Sequence, residues 1–117
     1  MDLKSSVPKE LQDRVLQVVE KAAKGRRVRV GVNEVTKMVE RGQAKFVVLA
    51  QDVLPLEIVL HLPALCKEKN IPCGLVSGKK VLGEKSGLKV GASAIALLED
   101  EELKKEFETL AKRFAEL

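Results

Sequence analysis

Short aliphatic segments that alternate with amphipathic helical segments are the feature that most constrains the fold of this chain. One of them, residues 46–50, is continuously apolar, which is typical of a strand buried on both faces of a sheet. Alternating helices and strands predict the α/β class, here a three-layer α/β/α sandwich with a central four-stranded mixed sheet, and one domain over residues 1–117. The predicted strands are 26–30, 46–50, 73–76 and 93–98, and the predicted helices are 5–24, 31–41, 55–60, 63–69, 79–83 and 100–114.

The amino-acid composition limits both the core and the kind of partner. Hydrophobic residues make up 45% of the chain, but it has three Phe and no Trp or Tyr, so the core must be aliphatic. The shortage of aromatic side chains argues against an RNA-binding sheet that stacks bases on exposed rings. No apolar stretch of about 18 residues is present, so no transmembrane helix is expected, and the N-terminal residues are not expected to form a signal peptide.

The two cysteines indicate free thiols rather than a metal site. Cys66 and Cys73, even with the single histidine, are too few for a structural zinc site, because such sites need four ligands in short paired spacings. We expect two buried or partly buried thiols in a reducing cytoplasm, with a disulfide as the less favoured alternative. No metal and no cofactor is expected.

Charge is distributed unevenly along the chain. Residues 99–117 hold seven acidic and four basic side chains, so the net charge of +4 combines −3 in this tail with +7 in residues 1–98. A basic body indicates a polyanionic partner, although many soluble domains are as basic without one.

Residues 31–41 form a predicted helix with two distinct faces. Its valine and methionine side chains recur at helical spacing and form an apolar stripe, while the first turn, after Gly31, favours an anion such as phosphate. Amide and lysine groups pair with purine edges, and a carboxylate accepts from base amino groups. The polar face therefore predicts nucleic-acid contact, the alternative being an ordinary solvated surface. Its side chains are Asn33, Glu34, Lys37 and Arg41.

No combination of side chains indicates catalysis. His61 lies beside Pro63 among apolar residues and is expected to be structural. Asp52, directly after the 46–50 strand, fits a capping or turn role better than the alternative role of a catalytic carboxylate. We therefore expect no enzymatic activity.

The predicted loop 88–91 carries apolar side chains next to glycines. Either Leu88 packs into the core, or Leu88 and Val90 form a hydrophobic lid over an unstacked RNA base. A lid of this kind would suit a protein that lacks aromatic side chains.

Several motifs spread over residues 10–98 follow one family pattern. They are Gly-Val-Asn-Glu-Val-Thr-Lys at 31–37, Val-Glu-Arg-Gly at 39–42, Ala-Gln-Asp at 50–52, Pro-Leu-Glu-Ile at 55–58, His-Leu-Pro-Ala-Leu-Cys at 61–66, Lys-Asn-Ile-Pro at 69–72, Leu-Gly at 82–83 and Ser-Gly-Leu at 86–88. In these motifs the chain resembles the L7Ae family of kink-turn-binding ribosomal proteins, with an archaeal character. The resemblance runs without evident gaps and is more specific than any single motif.

The resemblance implies an α/β/α sandwich without enzymatic activity that binds kink-turns and kink-loops, in which tandem sheared G·A pairs follow a sharply bent bulge. In archaeal members, one protein serves the large ribosomal subunit, box C/D and H/ACA guide RNPs and RNase P. The implied partners are rRNA, box C/D and H/ACA guide RNA, RNase P RNA and RNP core proteins such as the fibrillarin–Nop complex. A cytoplasmic monomer is expected. By position, the resemblance implies guanine contacts from Asn33, Glu34 and Lys37, backbone contacts from Gly31 and Arg41, and a bulged-nucleotide pocket lined by Ile58, Lys79, Leu88 and Val90.

The chain departs from the family pattern at four positions. Val30 stands where the family usually has a lysine, which leaves Arg29 or Arg27 as the candidate for that phosphate contact. These departures keep open a second hypothesis, a scaffold or protein-interaction module of the same fold without kink-turn recognition. The other departures replace a serine, an aromatic and an often charged residue, at Gly78, Cys73 and Leu54.

Overall fold

The computed structural model describes residues 7–52 and 61–116. None of the helices that these residues form is long and apolar enough to cross a membrane. The predicted short helix 55–60, Leu54 and Ile58 lie outside the described residues. The described helices and strands are α1 (Lys9–Lys24), β1 (Val28–Val30), α2 (Val32–Glu40), β2 (Ala44–Ala50), α3 (His61–Glu68), β3 (Cys73–Val76), α4 (Lys79–Lys85), β4 (Ala94–Leu98) and α5 (Lys104–Ala115).

The four described strands form one mixed sheet in the order β1-β4-β2-β3, which confirms the predicted sheet. β2 and β3 are parallel, whereas β4 is antiparallel to both β2 and β1. These directions bring the carboxyl ends of β1, β2 and β3 and the amino end of β4 to the same end of the sheet. We call it the Gly31 end of the sheet, since β1 leads directly into Gly31.

Helices cover both faces of the sheet, which confirms the α/β/α sandwich. α2 and α3 pack together on one face, and α1 packs with α4 and α5 on the other. On the α5 side, the ring of Phe46 in β2 lies 6.2 Å from that of Phe107 and 6.3 Å from that of Phe114, between centroids. Aliphatic side chains fill most of the remaining core, as the composition predicts.

Several helix boundaries differ from the prediction: α1 begins at Lys9 rather than at residue 5, and α4 extends to Lys85 rather than to residue 83. The helix predicted from residue 100 begins at Lys104, because Asp100 closes a turn first: its carboxylate accepts from the Glu102 N–H at 3.0 Å, and its carbonyl accepts from the Leu103 N–H at 3.1 Å. The helix predicted to restart at Pro63 already includes His61. Proline is compatible with a position early in a helix, where its missing N–H would have no partner.

The cysteines are free thiols, as predicted. Cys66 in α3 is buried, and Cys73 at the start of β3 is half-buried. A hydrogen bond between the two thiols lowers the pKa of Cys66 and raises that of Cys73. Within residues 7–52 and 61–116, no group of three or more histidine, cysteine or acidic side chains is placed to hold a metal ion.

Candidate nucleic-acid interface

Gly31 determines where the first turn of α2 lies. Its N–H donates to the carbonyl of Ala94 at 3.0 Å, and its own carbonyl accepts from the Val35 N–H at 2.9 Å. Its φ of +100° lies in a region that side chains disfavour, so a glycine suits this junction between strand and helix. The first turn of α2 is thereby held at the Gly31 end of the sheet.

The two faces of α2 are as the sequence predicts. Val35, Met38 and Val39 are buried, and Val32 packs against the core at the edge of this stripe. The predicted polar side chains are all exposed, namely Asn33, Glu34, Lys37 and Arg41.

Glu34 and Lys37 form an exposed ion pair. The Lys37 Nζ atom lies 3.8 Å from Glu34 Oε1, and both side chains are about half accessible to solvent. An exposed pair of this kind contributes at most about 1 kcal/mol, so a ligand that offers each group a better partner can separate them. The pair therefore places a hydrogen-bond donor and an acceptor side by side, and both can still form hydrogen bonds with a ligand.

The polar side chains lie on the side of α2 that faces away from α3, three of them close together and one further along the helix. Thr36 points towards α3, where its Oγ1 atom lies 3.0 Å from Nε2 of His61, so the exposed acid and bases occupy the other side of the helix. Arg41 follows Gly31 by ten residues, about 15 Å along the axis. The structure therefore brings Asn33, Glu34 and Lys37 together, with Arg41 one turn beyond Lys37.

Lys79 is held at the same end of the sheet by Asp52. The Asp52 carboxylate, just after β2, accepts a 2.8 Å hydrogen bond from the backbone N–H of Lys79, the first residue of α4. Gly78, at the N-cap position, has no side chain to do this. The predicted capping role of Asp52 is confirmed, although the helix that it caps is remote in sequence.

The loop of residues 87–93 follows α4 and returns to the Gly31 end. It leaves the helix through a Schellman motif, in which the Leu88 N–H donates to the Gly83 carbonyl at 2.9 Å and Gly87 has a φ of +86°. Leu88 is half-buried against the core, whereas Val90 is 70% exposed. Of the two alternatives for this loop, inward packing therefore holds for Leu88, whereas Val90 remains available to a partner.

Of the two arginines proposed to replace the family lysine at Val30, Arg29 lies closer to the site. Arg29 is exposed on the edge strand β1, two residues before Gly31, and its Nη1 atom donates to the Val28 carbonyl at 2.8 Å. Arg27 lies at the far end of the sheet, where its carbonyl accepts from the Leu98 N–H at 2.8 Å. Val30 itself packs against the core.

These elements meet in one surface at the Gly31 end of the sheet, which we call the Gly31 surface. It combines an amide, a carboxylate, cations and one exposed apolar side chain, and it can donate to phosphates, accept from base amino groups and cover a base. Ile58, the remaining predicted site residue, lies outside the described residues. The Gly31 surface comprises Gly31, Asn33, Glu34, Lys37, Lys79 and Val90.

Sequence reasoning missed one residue that shapes this surface, Gly83. The predicted helix 79–83 ends at Gly83, whereas α4 continues to Lys85 and so places this glycine inside the helix, where it costs about 1 kcal/mol relative to alanine. No pattern in the sequence shows which segment approaches Gly83.

A small α/β/α domain with such a mixed polar surface is suited to binding a polyanion. Residues 13–107 match the model of the Ribosomal protein L7Ae/L30e/S12e/Gadd45 family. Among solved structures, a Giardia lamblia 15.5kD RNA binding protein aligns with a TM-score of 0.91 and 29% identity, covering 97% of this chain and 96% of that chain. The chain belongs to the Ribosomal protein L7Ae/L30e/S12e/Gadd45 family.

The family and this structural neighbour support RNA as the partner and a non-enzymatic role. The expectation of an RNA partner agrees with the Gly31 surface, whose exposed groups include donors and acceptors for bases. The class is thus that of structural RNA-binding proteins of ribonucleoproteins.

Proposed function

We propose that this protein binds and stabilises kink-turn and kink-loop RNA, without catalysis. The observation that carries the proposal is the cluster of Asn33, Glu34 and Lys37 in the first turns of α2, next to the Gly31 end of the sheet. A carboxylate on a basic surface disfavours phosphate and therefore indicates that bases are read. The sheared G·A pairs of a kink-turn present guanine edges suited to this set of groups.

The proposed RNA partners are rRNA, box C/D and H/ACA guide RNA and RNase P RNA. In this proposal the protein is a cytoplasmic component of the large ribosomal subunit and of the corresponding RNPs, where the bound RNA also recruits core proteins such as the fibrillarin–Nop complex. The support for these roles is membership of the family, together with a structural neighbour described as an RNA-binding protein.

A gel shift with a kink-turn stem and a variant whose G·A pairs are replaced by Watson–Crick pairs tests the function. Specific binding should require the G·A pairs, because the Asn33, Glu34 and Lys37 contacts depend on their exposed edges. Equal affinity for the two RNAs at moderate salt would leave only charge-driven binding. A folded protein that binds neither RNA would favour the scaffold or protein-interaction module instead.

Substitutions in α2 test the site. Glu34→Ala and Lys37→Ala should each weaken kink-turn binding by about 1–3 kcal/mol, the value of a good base contact. Lys45→Ala is the matched control for Lys37→Ala, because it also removes one positive charge, but from an exposed position of β2 away from the Gly31 end. If Lys45→Ala costs as much as Lys37→Ala, net charge rather than the α2 face explains the affinity.

A further inference from the structure

The backbone of the 87–93 loop lies directly on α4 at Gly83. A Cβ atom placed on Gly83 would overlap the carbonyl oxygen of Val90 and would lie 3.0 Å from both the Val90 carbonyl carbon and the Gly91 Cα. All of these atoms belong to the loop backbone, which cannot turn aside as the end of a side chain can. The contact therefore exists only because residue 83 has no side chain.

Hydrogen bonds hold the loop on both sides of this contact. The Leu88 N–H donates to the Gly83 carbonyl and the Ala92 N–H donates to the Lys79 carbonyl, each at 2.9 Å. The two acceptors are four residues apart on α4, one helical turn, and the Val90 carbonyl sits between the two bonds in sequence. The loop is thus tied to the helix at its start, middle and end.

The exposed groups of this segment depend on that attachment. Val90 projects into solvent from the middle of the loop, and Lys79 supplies both an anchoring carbonyl and an exposed side chain. A loop already held in one conformation avoids the entropic cost of ordering when it binds. Movement of the loop away from α4 would displace Val90 relative to the α2 face.

We propose that Gly83 is a positioning residue for RNA binding: its bare backbone seats the Val90 carbonyl on α4 and fixes the 87–93 loop before RNA arrives. The inference rests on the proposed function. Gly83 itself contacts the loop and acts on RNA only through the placement of Val90.

Gly83→Ala tests the proposal, with Gly78→Ala as the matched control. Both changes add one methyl group and no charge, and alanine favours the helix at position 83. A Cβ on Gly78 meets no atom within 4 Å, and its φ of −123° suits any residue. We expect Gly78→Ala to bind a kink-turn stem within about twofold of wild type, and Gly83→Ala to bind about tenfold more weakly, as for one lost base contact.

A second readout reports on the loop without RNA. Amide hydrogen exchange at Leu88 and Ala92, measured by NMR, should be faster in Gly83→Ala than in wild type and unchanged in Gly78→Ala. If Gly83 only stabilised the fold, Gly83→Ala would lower the melting temperature, but the protein would still prefer the kink-turn over its G·A-disrupted variant as strongly as wild type does. Gly83→Ala should reduce that preference while leaving the weak affinity for the disrupted RNA unchanged.

The outcomes separate the two proposals. Wild type that does not distinguish the two RNAs would overturn the proposed function. If wild type does distinguish them, Gly83→Ala with wild-type affinity, or a loss shared by Gly78→Ala, would overturn the positioning role. Should Gly83→Ala fail to fold, Gly91→Ala tests the seating of the same loop at a neighbouring point of α4, because its Cβ would lie 3.1 Å from Cγ and 3.4 Å from the carbonyl oxygen of Lys79. Unchanged exchange at Ala92 and unchanged binding in that variant would also overturn it.

Discussion

Removal of the Asp52 carboxylate should destabilise the protein through α4. Asp52 caps this helix from the end of β2, with Oδ1 2.8 Å from the backbone nitrogen of Lys79, and Gly78 offers no side chain in its place. Asp52→Ala removes the acceptor of the Lys79 N–H in the first turn of α4. Loss of a cap costs about 0.5–2 kcal/mol, and since Asp52 is exposed, water replaces part of the bond, so we expect about 1 kcal/mol.

The expected change in melting temperature follows from the size of the chain. With an unfolding entropy of about 2.1 cal/mol/K per residue, a protein of this length loses about 4 °C for 1 kcal/mol. Asp52→Asn keeps an acceptor oxygen and loses only the interaction of the charge with the helix dipole, about 0.3 kcal/mol or about 1 °C.

Thermal unfolding followed by circular dichroism measures these shifts, and a double variant tests their cause. Gly78 has the extended backbone of an N-cap residue, and its Cβ position is open, so Gly78→Ser fits there without strain. Added to Asp52→Ala, it should recover about 0.3 kcal/mol, because the serine hydroxyl takes up a free N–H of the first turn. A melting temperature of Asp52→Ala within about 1 °C of wild type would refute the capping role.

Two further predictions concern the core and the pH dependence of stability. Gly74→Ala should lower stability by about 1–3 kcal/mol through overpacking, because its Cβ would lie 2.8 Å from Cε2 of Phe114 and 3.0 Å from Cε1 of Phe46; an unchanged urea midpoint would contradict this. The hydrogen bond and charge of Lys85 lower the pKa of Glu20 from its ordinary value of 4.5. This pair therefore stabilises the fold above pH 4.5, and its contribution disappears as the pH falls through the lowered pKa. The difference in unfolding free energy between wild type and Glu20→Gln should shrink between pH 7 and pH 3, and a constant difference would exclude the pair as the cause.

Local patterns were sufficient to predict most helices and strands. The apolar stripe of α2 depends only on residues three and four positions apart, and Gly31 marks its start, so both could be predicted. The start of α5 could not, because the turn at Asp100 competes with helix for the same backbone groups.

Within the candidate site, the exposed α2 residues were predictable and their surroundings were not. Asp52 and Lys79 are 27 residues apart, and no local pattern pairs a carboxylate with one particular remote N–H. Leu88 packs inward where the Schellman motif ends α4, whereas Val90, two residues further along the loop, is exposed, and no local pattern distinguishes the two. The resemblance to the L7Ae family placed these residues in one site, whereas periodicity alone did not.

The sequence by itself determined the fold class and the two faces of α2, because each depends on composition or on short-range periodicity. Only the tertiary structure decided that the first turn of α2, the start of α4 and the 87–93 loop meet at one end of the sheet. That meeting depends on the strand order β1-β4-β2-β3 and on the seating of a loop carbonyl on Gly83. Both are contacts between distant parts of the chain, and packing of the whole domain selects them.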